Sequence, residues 1–302
     1  MTHVATLISN PVSRALDAAT VERARAALSH ASAVQWLDPG IAADISFTLP
    51  NATVERQRAQ VDELRALLTG QPIDAVIQSE TNRRKRLFLA DMDSTMIGQE
   101  CIDELADQVG LKAHVAAITE RAMRGELEFE PALRERVALL KGLAASVVGD
   151  VIASRIKLMP GGRTLVATMR ANGAYACLVS GGFTLFTDRI AAMIGFNENR
   201  ANALVVEDGK LAGLVTEPIL GSGAKLTTLR ELRGRFGLQH DQTMAVGDGA
   251  NDIPMIQEAG LGVAYHGKPI VAQAAHARID HGDLTALLYA QGYRREEFAE
   301  PK

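Results

Sequence analysis

The sequence predicts an α/β protein: a doubly wound parallel sheet with an inserted helical cap, preceded by a small α+β domain. Three observations carry this reading. From residue 160 onward, short apolar runs alternate with segments of helical spacing, as strand–helix–strand units do. Three apolar runs stop abruptly at loops rich in Asp, Ser and Gly, where open α/β sheets place their ligands. Between the first two of those runs lies a helical block over residues 96 to about 158, far longer than a crossover needs.

Composition narrows the class. A length of 302 residues fits two domains, and 47% apolar residues can build a proper core. The net charge of -4 gives no support for a nucleic-acid surface. Arg83-Arg84-Lys85-Arg86, the one basic run, reads as a solvated linker end. No stretch approaches membrane-spanning length, and the N-terminus lacks the basic-then-apolar pattern of a secretory signal. Cys101 and Cys177 make no disulfide framework, and the histidines show no metal-ligand spacing. A reducing cytoplasm fits all of this.

Residues 1–80 form the candidate small domain. Val4 to Ser9 reads as a strand broken by Asn10-Pro11, and Ala15 to Ala31 as an Ala-rich helix. Val34 to Leu37 and Ile45 to Leu49 are short strands about Asp38-Pro39-Gly40. Val54 to Leu68 is helical through Val61, Leu64, Leu67 and Leu68, and Ile73 to Gln78 closes the unit. This strand and helix order is that of a ferredoxin-like split unit.

Residues 81–302 form the second domain. Leu87 to Ala90 is a buried strand ending at Asp91-Met-Asp93-Ser-Thr95. The cap block carries apolar stripes at Ile102, Leu105, Ala106 and Val109, then at Ile118 to Met123, then at Leu133, Val137 and Leu140, with Gly110 and Gly125 as breaks. Gly161 to Ala171 is a helix, and Ala174 to Val179 a strand ending at Ser180-Gly181-Gly182. Phe183 to Ile194 is helical. Ala203 to Glu207 and Leu211 to Thr216 form a hairpin around Asp208-Gly209. Lys225 to Phe236 is helical, and Thr243 to Val246 is a strand ending at Gly247-Asp248-Gly249-Ala250-Asn251-Asp252. Ile253 to Glu258, Leu261 to Ala264 and Asp283 to Tyr289 complete the alternation as helix, strand and helix.

Asp91 and Asp93 alone fit a solvated turn as well as a metal loop. The later loops decide, because all three should meet outside the strands' carboxyl ends. The meeting point then holds up to four carboxylates, the Ser180 hydroxyl, amides freed by glycine, and Lys225 from a helix start. Phosphoryl transfer needs this mixture. Carboxylates hold Mg²⁺, a hard cation with an oxygen preference. Lys225 and the metal offset phosphate charge, Ser180 and nearby N–H groups cradle the oxygens, and one Asp is free to attack phosphorus.

The set Asp91-x-Asp93-x-Thr95, Ser180, Lys225 and Gly247-Asp248-x-x-x-Asp252 resembles the four motifs of the haloacid-dehalogenase-like (HAD-like) phosphatases, in their order and strand contexts. Within that superfamily, Leu87 to Tyr293 is similar to the phosphoserine phosphatase family. The resemblance implies a Mg²⁺-dependent, aspartyl-phosphate route from O-phospho-L-serine to serine and phosphate, the last step of the phosphorylated route to serine. It implies Asp91 as nucleophile and metal ligand, and Asp93 as general acid and base whose backbone carbonyl also binds Mg²⁺. Asp248 is then a direct ligand, and Asp252 supports the metal site and Lys225. Ser180 and Gly181 hold phosphate with help from Asn251. In the cap, Glu100 matches the contact to the substrate amine, Arg136 the contact to its carboxylate, and Met123 and Phe129 the apolar closure. A zwitterionic amino acid needs one anionic and one cationic contact of this kind.

Residues 1–80 resemble the small regulatory ACT-like domains in architecture only. Their strand-to-helix junction is Ser9-Asn10-Pro11-Val12, and Asp38-Pro39-Gly40 falls later than those domains' usual Asp-x-Pro-Gly turn. A structural or homodimerising role is expected there. Two rival functions stay open: phosphoryl transfer to another small alcohol such as homoserine, and amino-acid sensing with a residual phosphatase domain. A serine-hydrolase elbow fails because residue 178 is Leu, and a phosphate-binding P-loop fails because Leu226 follows Lys225. A transport ATPase would carry membrane helices that the sequence lacks.

Overall fold

The computed structural model describes residues 2–50, 53–124 and 126–301. The first unit runs β1 (Thr2–Ser9), α1 (Ala18–Ala26), β2 (Val34–Asp38), β3 (Ala42–Thr48), α2 (Val54–Leu67) and β4 (Ile73–Ser79). Its strands form one antiparallel sheet in the order β2-β3-β1-β4, the arrangement expected of a ferredoxin-like unit. Helix α1 is shorter than the Ala-rich run suggests. The Asp17 carboxylate accepts the Thr20 N–H at 2.7 Å, which fixes the start, and the last turn closes at Ala27.

Strand period sends alternate residues to opposite faces. Ala5, Leu7, Ile45 and Ile77 pack on Val21, Ala24, Val61 and Leu64 of the two helices. Ile8, Ala42 and Val76 join the main core instead. The sheet is therefore covered on both faces, and its second cover is the rest of the chain.

The second unit opens with β5 (Leu87–Ala90) and the cap helices α3 (Cys101–Asp107), α4 (Lys112–Met123), α5 (Phe129–Ala138) and α6 (Val147–Ser154). It returns through α7 (Gly162–Ala171), β6 (Tyr175–Phe183), α8 (Thr184–Ile194) and β7 (Glu198–Asn202). A hairpin of β8 (Leu204–Glu207) and β9 (Lys210–Val215) follows, turning at Asp208 and Gly209 with φ of 48° and 75°. The chain then runs α9 (Ser222–Arg235), β10 (Thr243–Gly247), α10 (Ile253–Glu258), β11 (Leu261–Tyr265), α11 (Pro269–Ala274), β12 (Ala277–Ile279) and α12 (Ala286–Ala290).

Six strands make one parallel sheet ordered β12-β11-β10-β5-β6-β7. The chain winds outward from β5 in one direction, then returns to its other side at β10. That reversal puts the ligand crevice at the carboxyl ends of β5 and β10. The cap leaves and re-enters at neighbouring points, where Ile97 bridges Leu158 and Gly98 N–H donates to the Lys157 carbonyl at 3.0 Å. It also leans on the hairpin through Gly142 and Leu143 against Leu211.

Two features depart from the sequence reading. Strand β6 continues through Ser180 to Phe183, with a register shift between Val179 and Phe183, so the expected loop is an irregular strand end. The basic run is built into the seam between the units. Lys85 is buried, its Nζ donates to the Asn82 and Asp241 carbonyls at 2.8 Å, and burial lowers its pKa to about 8. Arg83 pairs with Asp44 at 2.7 Å and reaches the Ala290 carbonyl. Across the same seam, Asp74 accepts the N–H groups of Asp280 and Gly282, each at 2.8 Å, and Tyr289 donates to Asp38 at 2.8 Å. No helix among the described residues is long and apolar enough to cross a membrane.

Candidate active site

β5 and β10 end side by side, each delivering a carboxylate loop. Asp91 N–H donates to the Val246 carbonyl at 3.0 Å, so pairing of the two strands runs one residue into the site. Lys225, in the first turn of α9, reaches both loops. Its Nζ lies 2.7 Å from Asp91 Oδ1 and 2.7 Å from Asp252 Oδ1. Burial alone would depress this lysine, but Asp252 and Asp91 outweigh it and hold the ammonium charged.

Asp252 has both oxygens engaged. Its Oδ2 accepts the N–H groups of Asp248 and Gly249 at 3.2 and 3.1 Å. Gly247 makes the close approach possible, because a Cβ there would stand 2.3 Å from Asp252 Cγ. Asp91 Oδ1 also accepts the Met92 N–H at 2.8 Å, and Asp248 Oδ1 accepts from Thr95 at 3.2 Å. Oδ2 of Asp91 and Oδ2 of Asp248 are then left without a donor among the described residues.

Asp91, Asp248 and Asp252 can each direct an oxygen to a common point, with those atoms within 4.8 Å of one another. Three buried carboxylates share one ammonium, an excess of negative charge that burial makes costly. The strain shows in the titration of Asp91 and Asp248. Burial, then the Asp252 charge, push Asp91 well up and raise Asp248 to about 7. A hard divalent cation on the free oxygens relieves this imbalance, and the all-oxygen donor set suits one.

Asp93 stands apart from that cluster. Its Oδ2 accepts the Cys101 N–H at 3.2 Å, while its buried Oδ1 has no partner among the described residues. Burial raises it to about 6. Ser94, with φ of 54°, turns the chain so that its hydroxyl donates to Glu100 at 2.6 Å. Glu100, at the start of α3, is driven well up by burial and by the Asp93 charge.

Asp91, Asp93, Glu100, Phe129, Arg136, Ser180, Gly181 and Asn251 line one cavity of about 250 Å³ between core and cap. Lys225, Asp248 and Asp252 do not line it; Lys225, itself held by Asp252, reaches it through Asp91. The side chain of Met123 lies outside the described residues. At the strand end, Ser180 Oγ accepts the Gly182 N–H at 2.9 Å. Phe129 covers Gly181, where a Cβ would come within 2.8 Å of the ring. Arg136 is 6% exposed; its Nε donates to the Ala132 carbonyl and its Nη1 to Thr119, both at 3.0 Å.

Three site residues escaped sequence reasoning. Thr119 supports Arg136 and itself donates to Asp103 at 2.9 Å. Asn202 donates to the Gly181 carbonyl at 2.8 Å and accepts the Leu220 N–H at 2.7 Å, tying the phosphate-cradle candidate to the approach to α9. Thr95 belongs to the first motif, and the structure adds its role: its hydroxyl orients Asp248.

Known proteins share this architecture. The family described as haloacid dehalogenase-like hydrolase matches residues 88–257, a span that contains the carboxylate cluster, Lys225 and the cap. A phosphoserine phosphatase of Streptomyces coelicolor is 38% identical over 292 residues, 97% of this chain and 71% of that protein. One from Polaromonas sp. is 48% identical over 208 residues, 67% of this chain and 88% of that protein. A solved "Phospho-Aspartyl Intermediate Analogue of Phosphoserine phosphatase" superposes with a TM-score of 0.65 at 40% identity, covering 68% of this chain and 98% of that one. With its family match, its relatives and its sheet in agreement, the chain belongs to the haloacid dehalogenase-like hydrolases.

Proposed function

We propose that the chain hydrolyses O-phospho-L-serine to serine and phosphate. The observation that carries this reading is a single cavity lined by Asp91, Asp93 and Ser180 on the core side and by Glu100 and Arg136 on the cap side. The first set suits phosphoryl chemistry, and the second suits the amine and carboxylate of an amino acid. Mg²⁺ is the proposed cofactor, held by Asp91, Asp248 and the Asp93 backbone carbonyl. When bound, it supplies positive charge that offsets the phosphate and the buried carboxylates.

Asp91 attacks phosphorus, and the bond from phosphorus to the seryl oxygen breaks. The Asp93 carboxyl gives its proton to that oxygen, and serine leaves. Asp93, now a carboxylate, takes a proton from water as the water attacks the aspartyl-phosphate; phosphate departs and Asp91 is restored. A pKa near 6 lets Asp93 serve in both directions close to neutrality. Lys225 holds Asp91 in place and balances charge, Asp252 anchors Lys225, and the Ser180 hydroxyl with the Gly181 and Asn251 region grips phosphate oxygens. Phe129 closes the apolar side.

Residues 1–80 are proposed as a separate domain, whose β2 edge has no strand partner among the described residues and offers a homodimer contact. Two buried free cysteines suit a reducing, cytoplasmic setting. The deciding experiment measures phosphate release with Mg²⁺ from phosphoserine, phosphothreonine and phosphoethanolamine, with and without homoserine. Phosphoserine should be the best substrate. Absence of release from all three would refute the proposal, and phosphohomoserine formed in preference to phosphate would make the chain a transferase.

A further inference from the structure

A second cavity, of about 680 Å³, lies on the seam between the two units and shares no lining residue with the first. Its polar walls are donors more than acceptors. Arg58 and Arg65 come from α2, and Arg278 comes from β12. They face two lining carboxylates, Asp62 and Asp280, leaving an excess of one positive charge. Arg65 Nη1 lies 3.2 Å from Asp62. Arg278 Nε lies 2.9 Å from Asp280 but forms no aligned hydrogen bond with it. His276 accepts the Gly262 N–H on Nδ1 at 2.9 Å, which leaves Nε2–H as a further donor in the neutral ring.

One lining residue carries a buried, unsatisfied acceptor. Gln78 is 7% exposed, its Nε2 donates to the Ala290 carbonyl at 2.5 Å, and its Oε1 has no partner among the described residues. An unpaired buried acceptor is costly unless something donates to it. Apolar wall segments at Val61, Leu261 and Ala272 suit an organic body over a bare inorganic anion.

We propose that this cavity binds a small organic carboxylate bearing a hydroxyl or ammonium group, its carboxylate on Arg65 and Arg278 and its donor group on Gln78 Oε1. The ligand bridges α2 and β12 and so ties the two units together. It also touches the chemistry. Gly267 and Pro269 line the same cavity, and Lys268 between them donates its N–H to the Asp248 carbonyl at 2.9 Å. Occupancy therefore shifts the cation requirement of the site.

Calorimetry on the full chain tests binding without any need for activity. The probes are L-malate, citrate, D-glycerate and L-glutamate, with succinate as the donor-free control and inorganic phosphate as the simple anion. At least one of the first four should bind saturably, and more tightly than succinate or phosphate. Arg65→Gln and Arg278→Gln should each weaken that binding about tenfold or more, as loss of a charge-assisted pair does. Asp91→Asn should leave it unchanged. Circular dichroism checks folding; should Arg278→Gln not fold, Arg65→Gln on the α2 surface carries the comparison.

No binding by any of the four probes, or binding that survives the arginine changes, overturns the proposal. So does binding lost in Asp91→Asn, which would put the ligand in the catalytic cavity. Equal binding of succinate and phosphate overturns the ligand class. The regulatory part rests on the proposed phosphatase reaction: saturation should change half-maximal Mg²⁺ by about twofold or more. An unchanged Mg²⁺ requirement removes that part, whereas loss of all phosphate release would count against the phosphatase reading alone.

Discussion

Asp252 shows how a single residue can fix a site without lining its cavity. One oxygen holds Lys225 and the other holds two backbone N–H groups, so the ammonium and the Asp248 loop share one anchor. Asp91 receives the ammonium on one oxygen only. Asp91→Asn should cut phosphate release by about 10³-fold or more and abolish the phosphoenzyme, read by rapid-quench mass spectrometry. An asparagine enzyme that still turns over would remove the nucleophile role.

Asp248 makes a prediction in pH. Its folded value is about 7 against an ordinary 3.8. Between those values the folded state binds more protons than the unfolded one. The stability tied to Asp248 is therefore present at low pH and lost as pH rises through 7. Without divalent cation, the melting midpoint should fall between about pH 5 and about pH 8, and Mg²⁺ should shrink the fall by replacing the proton. Asp248→Asn should make the chelated curve shallower, the raised Asp91, Asp93 and Glu100 keeping part of the fall; a chelated wild type that gains stability toward pH 8 would overturn the assignment.

At the scale of elements, the irregular end of β6 and the start of α5 meet at Gly181 and Phe129. Gly181→Ala puts a Cβ against the end of the Phe129 ring, so the ring must shift from its place over the cavity. The expected result is a loss in kcat/KM of about tenfold with a small change in melting temperature, since the half-buried ring lies at the cavity on the edge of the core. Arg136, on the next turns of α5, should act on selectivity. Arg136→Ala should cost about 10²-fold on phosphoserine and far less on an aryl phosphate without a carboxylate, and parallel losses would assign it a structural role.

Legibility in the sequence followed from where each element gets its stability. Leu87 to Ala90 and Thr243 to Val246 are buried on both faces, so they stand out as apolar runs closed by Asp loops. β7 reads Glu-Asn-Arg-Ala-Asn and carries no strand signal, because an edge strand needs no apolar run. β12, three residues long, is too short to show a period. The aspartates, Ser180 and Lys225 were legible because each sits at a fixed offset from a strand end or helix start. Thr119 and Asn202 were not, because their importance comes from partners 17 and 21 residues away that only the fold brings close.

The whole molecule is less divisible than its two sheets suggest. Ile8, Ala42 and Val76 share a core with the second unit, and Tyr289 is nearly fully buried against the seam. Deleting residues 1–80 should therefore lower the melting temperature by several degrees, since it uncovers α12 and leaves Arg83 without Asp44. The folded fraction should keep its phosphate release per active site. A truncated chain that is fully folded yet inactive would show that the first unit shapes the catalytic cavity.

The paired crossing at Ile97 and Leu158 has a consequence for descent. The chain enters and leaves the insertion at two adjacent points, and the strands that carry Asp91, Ser180 and Asp248 run beneath it without contributing to its topology. Such an insertion can be exchanged, lengthened or lost with the sheet register intact. Substrate choice and bond-breaking chemistry can thus be inherited separately, and a chimera carrying a foreign insertion should keep phosphoryl transfer while changing which alcohol it releases.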